Sequence, residues 1–163
     1  MKIGRLTISD RASAGIYADR SGPEIENALR EFLGNEAVFQ SLIVPDEAEL
    51  ISAALKKFAD ELKCDMVVTT GGTGISPRDV TPEATRAVLE KELPGFGEIM
   101  RMQSFAKVKT AILSRAVAGT RGATLIVNLP GKPSAVRECL EILAPAMSEG
   151  LAHLRGENPH EKK

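Results

Sequence analysis

Short apolar runs alternate along this chain with stretches in which apolar residues recur every three or four positions. The runs at 3–9, 38–44, 65–70 and 123–129 are compact and rich in β-branched residues, which predicts strands. The second run carries Gln40 and Ser41 among its apolar residues, so it is expected near a sheet edge. Ile25, Leu29, Phe32 and Leu33 form one helical face, stopped by Gly34-Asn35. Leu50, Ile51, Ala54, Leu55, Phe58 and Leu62 form a second. A third helix is expected from Thr81 to about Lys91, broken by the glycines and proline of 93–97, and a short fourth over 98–106. The last helix carries Val136, Cys139, Leu140, Leu143, Met147, Leu151 and Leu154 on one face, with a kink expected at Pro145. Residues 110–118 have no clear pattern, with Ser114-Arg115 as candidate ligand contacts, and 119–122 read as a turn.

Strands alternating with helices predict an α/β fold: a mostly parallel sheet covered on both faces. In such sheets ligands bind at the carboxyl ends of the strands. Polar loops follow the first, third and last strands, and Asp46 follows the second. They are expected to share one rim. Ser21 and Glu24 fit a capping box for the first helix. Asp46, with Glu49 three residues on, fits a helix N-cap as well as it fits a site residue.

Composition narrows the classes. With 163 residues, 43% hydrophobic and 26% charged, the chain reads as one domain with a real core, over 1–156, and a frayed polar tail at 157–163. A net charge of −1 gives no electrostatic footprint for nucleic acid. No apolar run is long enough to span a membrane. Met1-Lys2 leads directly into a strand-like segment without a signal-peptide pattern, and Cys64 and Cys139 are too few for a disulfide framework, so the reading is cytoplasmic. His153 and His160 lack ligand-spaced partners, which argues against zinc.

The most informative stretch is 66–84. A buried strand runs into Gly71-Gly72-Thr73-Gly74, then a polar loop with Arg78 and Asp79, then Thr81-Pro82, which reads as an N-cap and first helical turn. Glycines free the backbone to approach a ligand, and a turn leading to a helix aims N–H donors at a phosphate. Thr70, Thr73 and Ser76 add hydroxyls, Arg78 a cation and Asp79 a potential metal ligand. It is neither a Walker A loop nor a dinucleotide fingerprint. The stretch Asn128-Leu129-Pro130-Gly131-Lys132 repeats the strand, glycine turn and helix start.

Seven segments in order, at 8–13, 45–47, 69–74, 78–84, 94–98, 111–115 and 128–131, resemble the bacterial MogA/MoaB family, to which gephyrin and plant proteins are related. The resemblance covers essentially the whole chain. It implies a three-layer α/β/α sandwich, usually trimeric. It also implies molybdopterin adenylyltransferase activity, with ATP as co-substrate, Mg²⁺ as cofactor and a molybdate-insertion protein as a further partner. Carried over, Asp46 and Asp79 are the catalytic and metal-binding carboxylates. Thr70, Gly71, Gly72, Thr73 and Gly74 match the nucleotide loop, and Ser114, Asn128, Pro130 and Gly131 the pterin end. Lys132 is placed there by its charge alone. A non-catalytic pterin carrier or scaffold, and a nucleotide hydrolase on the same fold, are the competing readings.

Overall fold

The computed structural model describes residues 1–157, so 158–163, the greater part of the expected tail, lie outside the described residues. Six strands form one sheet: β1 (Lys2–Ile8), β2 (Val38–Val44), β3 (Met66–Thr70), β4 (Lys91–Glu92), β5 (Ala118–Arg121) and β6 (Thr124–Leu129). Their spatial order is β2-β1-β3-β6-β5-β4. β2, β1, β3 and β6 run parallel, and β5 and β4 are added antiparallel at one edge. β2 is the opposite edge, as its mixed pattern predicts.

Helices cover both faces: α1 (Asp10–Ser13), α2 (Ser21–Leu33), α3 (Ala48–Lys56), α4 (Thr81–Arg86), α5 (Pro94–Lys107) and α6 (Pro133–Leu154). Alternate strand residues feed two cores, as the two-residue period of a strand requires. Ile3, Met66, Val68, Leu125 and Val127 pack with Ile25 and Leu29 of α2 and with Val136, Leu140 and Met147 of α6. Leu6, Val67 and Ile126 point the other way, against Ile51 and Leu55 of α3, Phe58, and Ala84 of α4. The result is the expected three-layer sandwich.

Several local readings are corrected. The expected turn at 119–122 belongs largely to β5; Gly119 packs there against Leu89 and the Lys91 carbonyl, which leaves no room for a side chain. α4 ends at Arg86, and Lys91–Glu92 pair with Thr120 and Gly119 as an edge strand instead of finishing a helix. Pro94 begins α5 at a position where its missing N–H costs nothing. α3 widens into a π-turn at Lys57–Glu61, which seats Phe58 under Gly4 of β1. Asp19, not Ser21, caps α2: its Oδ1 accepts from Gly22 N at 2.9 Å. α6 spans Pro133–Leu154 with Pro145 inside it.

A β-carbon at Gly4 would lie 2.7 Å from the Phe58 ring. Gly4→Ala is therefore expected to overpack this core and lower unfolding free energy by about 1–3 kcal/mol, read from urea denaturation.

Candidate active site

The carboxyl ends of the four parallel strands form one rim. Gly71 and Gly72 follow β3 with φ of 97° and 64°, the left-handed region that glycine adopts freely. The turn is also tightly enclosed. A β-carbon on Gly71 would run into the Ile8 carbonyl oxygen, and one on Gly72 into the Thr81 hydroxyl. Thr81 holds the turn from below: its N–H donates to Gly72 O at 3.1 Å and its hydroxyl to Gly71 O at 3.0 Å. It is the first residue of α4 with Val80 as N-cap, so its hydroxyl serves the turn and not the helix end. Gly131 packs on the other side, where a β-carbon would come 3.6 Å from Gly71 Cα.

Asp46 does not cap a helix. Glu47 occupies the N-cap of α3 and makes no side-chain cap. Instead Asp46 and Asp10 bond reciprocally: Asp10 N donates to Asp46 Oδ2 at 2.9 Å, and Asp46 N to Asp10 Oδ1 at 3.0 Å. The other oxygen, Oδ1, faces the Gly72 turn, 3.0 Å from where a β-carbon would sit. Asp10, beyond its N-cap Ser9, is further held by Arg78, which donates from Nε at 2.9 Å and from Nη2 at 2.7 Å. That pair holds the Asp10 carboxyl below its ordinary range. Asp46 moves the opposite way. Burial pushes its pKa up, and the charges of Asp10 and Asp79 push it further, against the Asp10 N–H bond and Arg78. A half-buried carboxylate in a negative field, with one oxygen turned toward a glycine loop, is short of a cation.

Asp79 stands across the loop. Its Oδ2 accepts from Ser76 N at 2.9 Å and lies beside Gly74. The loop between them is clamped by Arg115, whose Nε donates to Gly74 O and whose Nη2 donates to Asp79 O, both at 2.7 Å. Arg115 N also donates to Thr73 O, and its Nη1 pairs with Glu83. This clamp was hidden in the sequence, where Arg115 is one arginine after Ser114 in a segment of no clear pattern.

A cleft of about 460 Å³ opens next to the loop. Among the residues expected at the site, Thr73, Gly74, Asp79, Ser114, Pro130, Gly131 and Lys132 line it. Asp46, Gly71 and Gly72 sit on the rim beside it. Thr70 and Asn128 do not open on it, for both are fully buried. Thr70 donates to Pro130 O at 2.7 Å and so ties the two glycine loops together. Asn128 donates to Thr69 Oγ1 and Thr85 Oγ1, each at 3.0 Å, and accepts from Val117 N at 3.3 Å. It joins β3, α4 and the residue before β5 beneath the loop. The far wall of the cleft is apolar, with Met100, Val108, Ala111, Leu113 and Ala135. An open site with a glycine loop and carboxylates at one end and an apolar slot at the other suits a flat organic ring bearing an anionic arm.

Residues 4–149 match the family described as probable molybdopterin binding domain. The chain belongs to the MogA/MoaB family. A molybdopterin adenylyltransferase of Helicobacter pylori J99 is 57% identical over 145 residues, covering 89% of this chain and 82% of the relative. The molybdopterin biosynthesis enzyme MoaB of Thermus thermophilus superposes with a TM-score of 0.87 at 41% identity, over 96% of this chain and 97% of that one. A solved MogA gives 0.88 at 38% identity, over 94% and 99%. The MogA/MoaB fold is thus the mostly parallel sandwich described above.

Two outcomes follow from this geometry. Arg115→Met removes two side-chain donors from the 73–79 loop, and amide exchange at Ser76 and Asp79 is expected to accelerate by about tenfold or more while core amides of β3 and β6 keep their protection. Asp46→Asn keeps an acceptor for Asp10 N and removes a charge. Because the folded carboxyl holds its proton to higher pH than an unfolded aspartate, its stabilising contribution is present in acid and lost as pH rises through the folded pKa. At pH 7 the variant is therefore expected to melt at or above the parent's temperature.

Proposed function

We propose that this protein is a molybdopterin adenylyltransferase that acts in molybdenum cofactor biosynthesis and prepares the pterin for molybdate insertion. The observation that carries the reading is the meeting of Asp46 and Asp79 around one enclosed glycine turn, in a chain 57% identical to a relative of that name. A phosphate oxygen of molybdopterin attacks the α-phosphorus of ATP. The bond from that phosphorus to the bridging oxygen breaks, and pyrophosphate leaves with the electron pair. The attacking oxygen is already anionic, so no separate nucleophile has to be activated. The protein's task is positioning and charge neutralisation.

Backbone N–H groups of Gly72–Gly74 and the Thr73 hydroxyl hold nucleotide phosphates, while the Gly71 N–H is given to Leu129 O and Gly71 shapes the turn. Lys132, Gly131 and Ser114 hold the pterin phosphate end. The apolar wall takes the ring. Asp46 and Asp79 fit a hard divalent cation such as Mg²⁺: they are oxygen donors on opposite sides of the phosphate loop, and Asp46 lies in a field that favours a positive partner. When bound, Mg²⁺ would neutralise charge on the triphosphate and the departing pyrophosphate. Residues 1–156 act as one catalytic domain in the cytoplasm; no helix of the described residues is long and apolar enough to cross a membrane. A homotrimer is the proposed assembly, and exposed Met102, Phe105, Val108 and Ile112 on α5 and the turn after it support such a contact. The product passes to a molybdate-insertion protein.

The test is turnover of the purified protein with ATP, Mg²⁺ and molybdopterin. Pyrophosphate and adenylylated pterin are expected together, and only when pterin is present. Tight pterin binding without product would replace this reading with a carrier, and ATP breakdown without pterin would replace it with a hydrolase. Asp79→Asn and Asp46→Asn are each expected to lower turnover by about two orders of magnitude or more with the fold intact. The Mg²⁺ requirement should rise as pH falls through the elevated Asp46 pKa, because proton and metal compete for that carboxylate.

A further inference from the structure

Of the residues lining the cleft only two are acidic, and they sit apart. Asp79 belongs to the phosphate loop. Glu138 lies on α6, on the helical face that presents Ser134, Ala135, Glu138 and Cys139 to the cleft. Ser104, Val108 and Met100 line the same cleft. The Glu138 side chain is 25% exposed, so a ligand in the cleft can reach it. Its one ion pair is long: Lys107 Nζ stands 3.6 Å from Glu138 Oε2, and the Lys107 side chain is 70% exposed. A long, solvent-open pair of this kind contributes little and is readily exchanged.

Spacing along the helix sets how far Glu138 stands from Lys132. Lys132 is the N-cap of α6, and Glu138 lies six residues on, about 9 Å at roughly 1.5 Å per residue. A fused pterin ring with its anionic arm at Lys132 reaches across a similar span. Its far edge, the aminopyrimidinone, carries two parallel N–H donors, from N3 and the 2-amino group. Two carboxylate oxygens accept such a pair in bidentate fashion.

We infer that Glu138 is the specificity residue of the cleft, accepting the two N–H donors of the pterin's aminopyrimidinone edge while Lys132 meets the phosphate end. This rests on the adenylyltransferase reading and adds the ring's orientation: amino edge toward α5, phosphate toward the Gly71 and Gly131 loops. Lys107 is the resident partner that the ring displaces. Gln at position 138 would place one donor against a donor, so it loses one bond and gains a repulsion.

The experiment uses the intact protein at pH 7 with two fluorescent ring probes: free pterin, and lumazine, which has a carbonyl in place of the 2-amino group. The parent is expected to favour pterin by about tenfold, as expected for a charge-assisted bond. Glu138→Gln should lose that preference while lumazine and ATP affinities stay near the parent's. In turnover it should raise KM for molybdopterin far more than it lowers kcat. Lys107→Met, a change at an exposed position, should tighten pterin but not lumazine, and it decides the matter if the Gln variant fails to fold. A parent that binds both rings equally, or a Glu138→Gln protein that keeps the preference, overturns the inference. A parent that discriminates the rings but makes no adenylylated product leaves Glu138 in place and removes the catalytic reading instead.

Discussion

The cleft depends on a turn that has no room for a side chain. Gly71 lies against the end of β1, Gly72 against Thr81, and Gly131 against Gly71. Any β-carbon in the first two positions would push β3 from its neighbours or lift the loop from α4. Because the turn is this close to its surroundings, its backbone donors stand at the rim, and Asp46 and Asp79 approach it from opposite sides. Thr81, Thr70 and Arg115 then hold it from below, from the adjoining loop and from the segment before β5. The flanking hydroxyls and the arginine are spent on keeping the loop in shape, and the Gly71 N–H is turned to the Leu129 carbonyl.

The same rim shows how charge is distributed for function and not for stability. Asp10 has a full bidentate partner in Arg78, whereas Asp46, nearer the glycine turn, has only a backbone donor and two like-charged neighbours. A fold selected for stability alone would exchange these roles or neutralise Asp46. A carboxyl with a raised pKa is a pattern found at functional sites, and the proposed divalent cation would supply the positive charge missing there. In the proposed function the apolar slot beside it takes the second substrate's ring, which would bring both anionic groups to the glycine-loop end.

Much of this was legible from residue pattern. The β-branched runs of β3 and β6 and the three-four spacing of α2 and α6 reflect burial directly, so the sandwich and its rim could be read. The losses have physical causes. β4 and β5 are too short to show a period, and Gly119 looks like a turn residue although it is a point of close packing. Asp46 with Glu49 satisfies the spacing of a helix cap, and only the contact with Asp10, 36 residues away, shows otherwise. Asn128 and Thr70 carry the polar chemistry of site residues, yet burial turns them inward to join strands and loops. Arg115 read as a candidate ligand contact and not as a loop clamp, and Glu138 gave no local signal, because their partners come from distant segments.

The central claim is that Asp46 is a charge awaiting a metal-bound nucleotide. The most direct measurement is an NMR titration of the Asp46 carboxyl carbon in ¹³C-aspartate-labelled protein, without ligand and with Mg²⁺ and a non-hydrolysable ATP analogue. The account predicts a midpoint above that of an ordinary aspartate in the free protein, falling when metal and nucleotide are present together. An ordinary midpoint that neither ligand moves would contradict it and leave Asp46 as a link between β2 and the loop after β1.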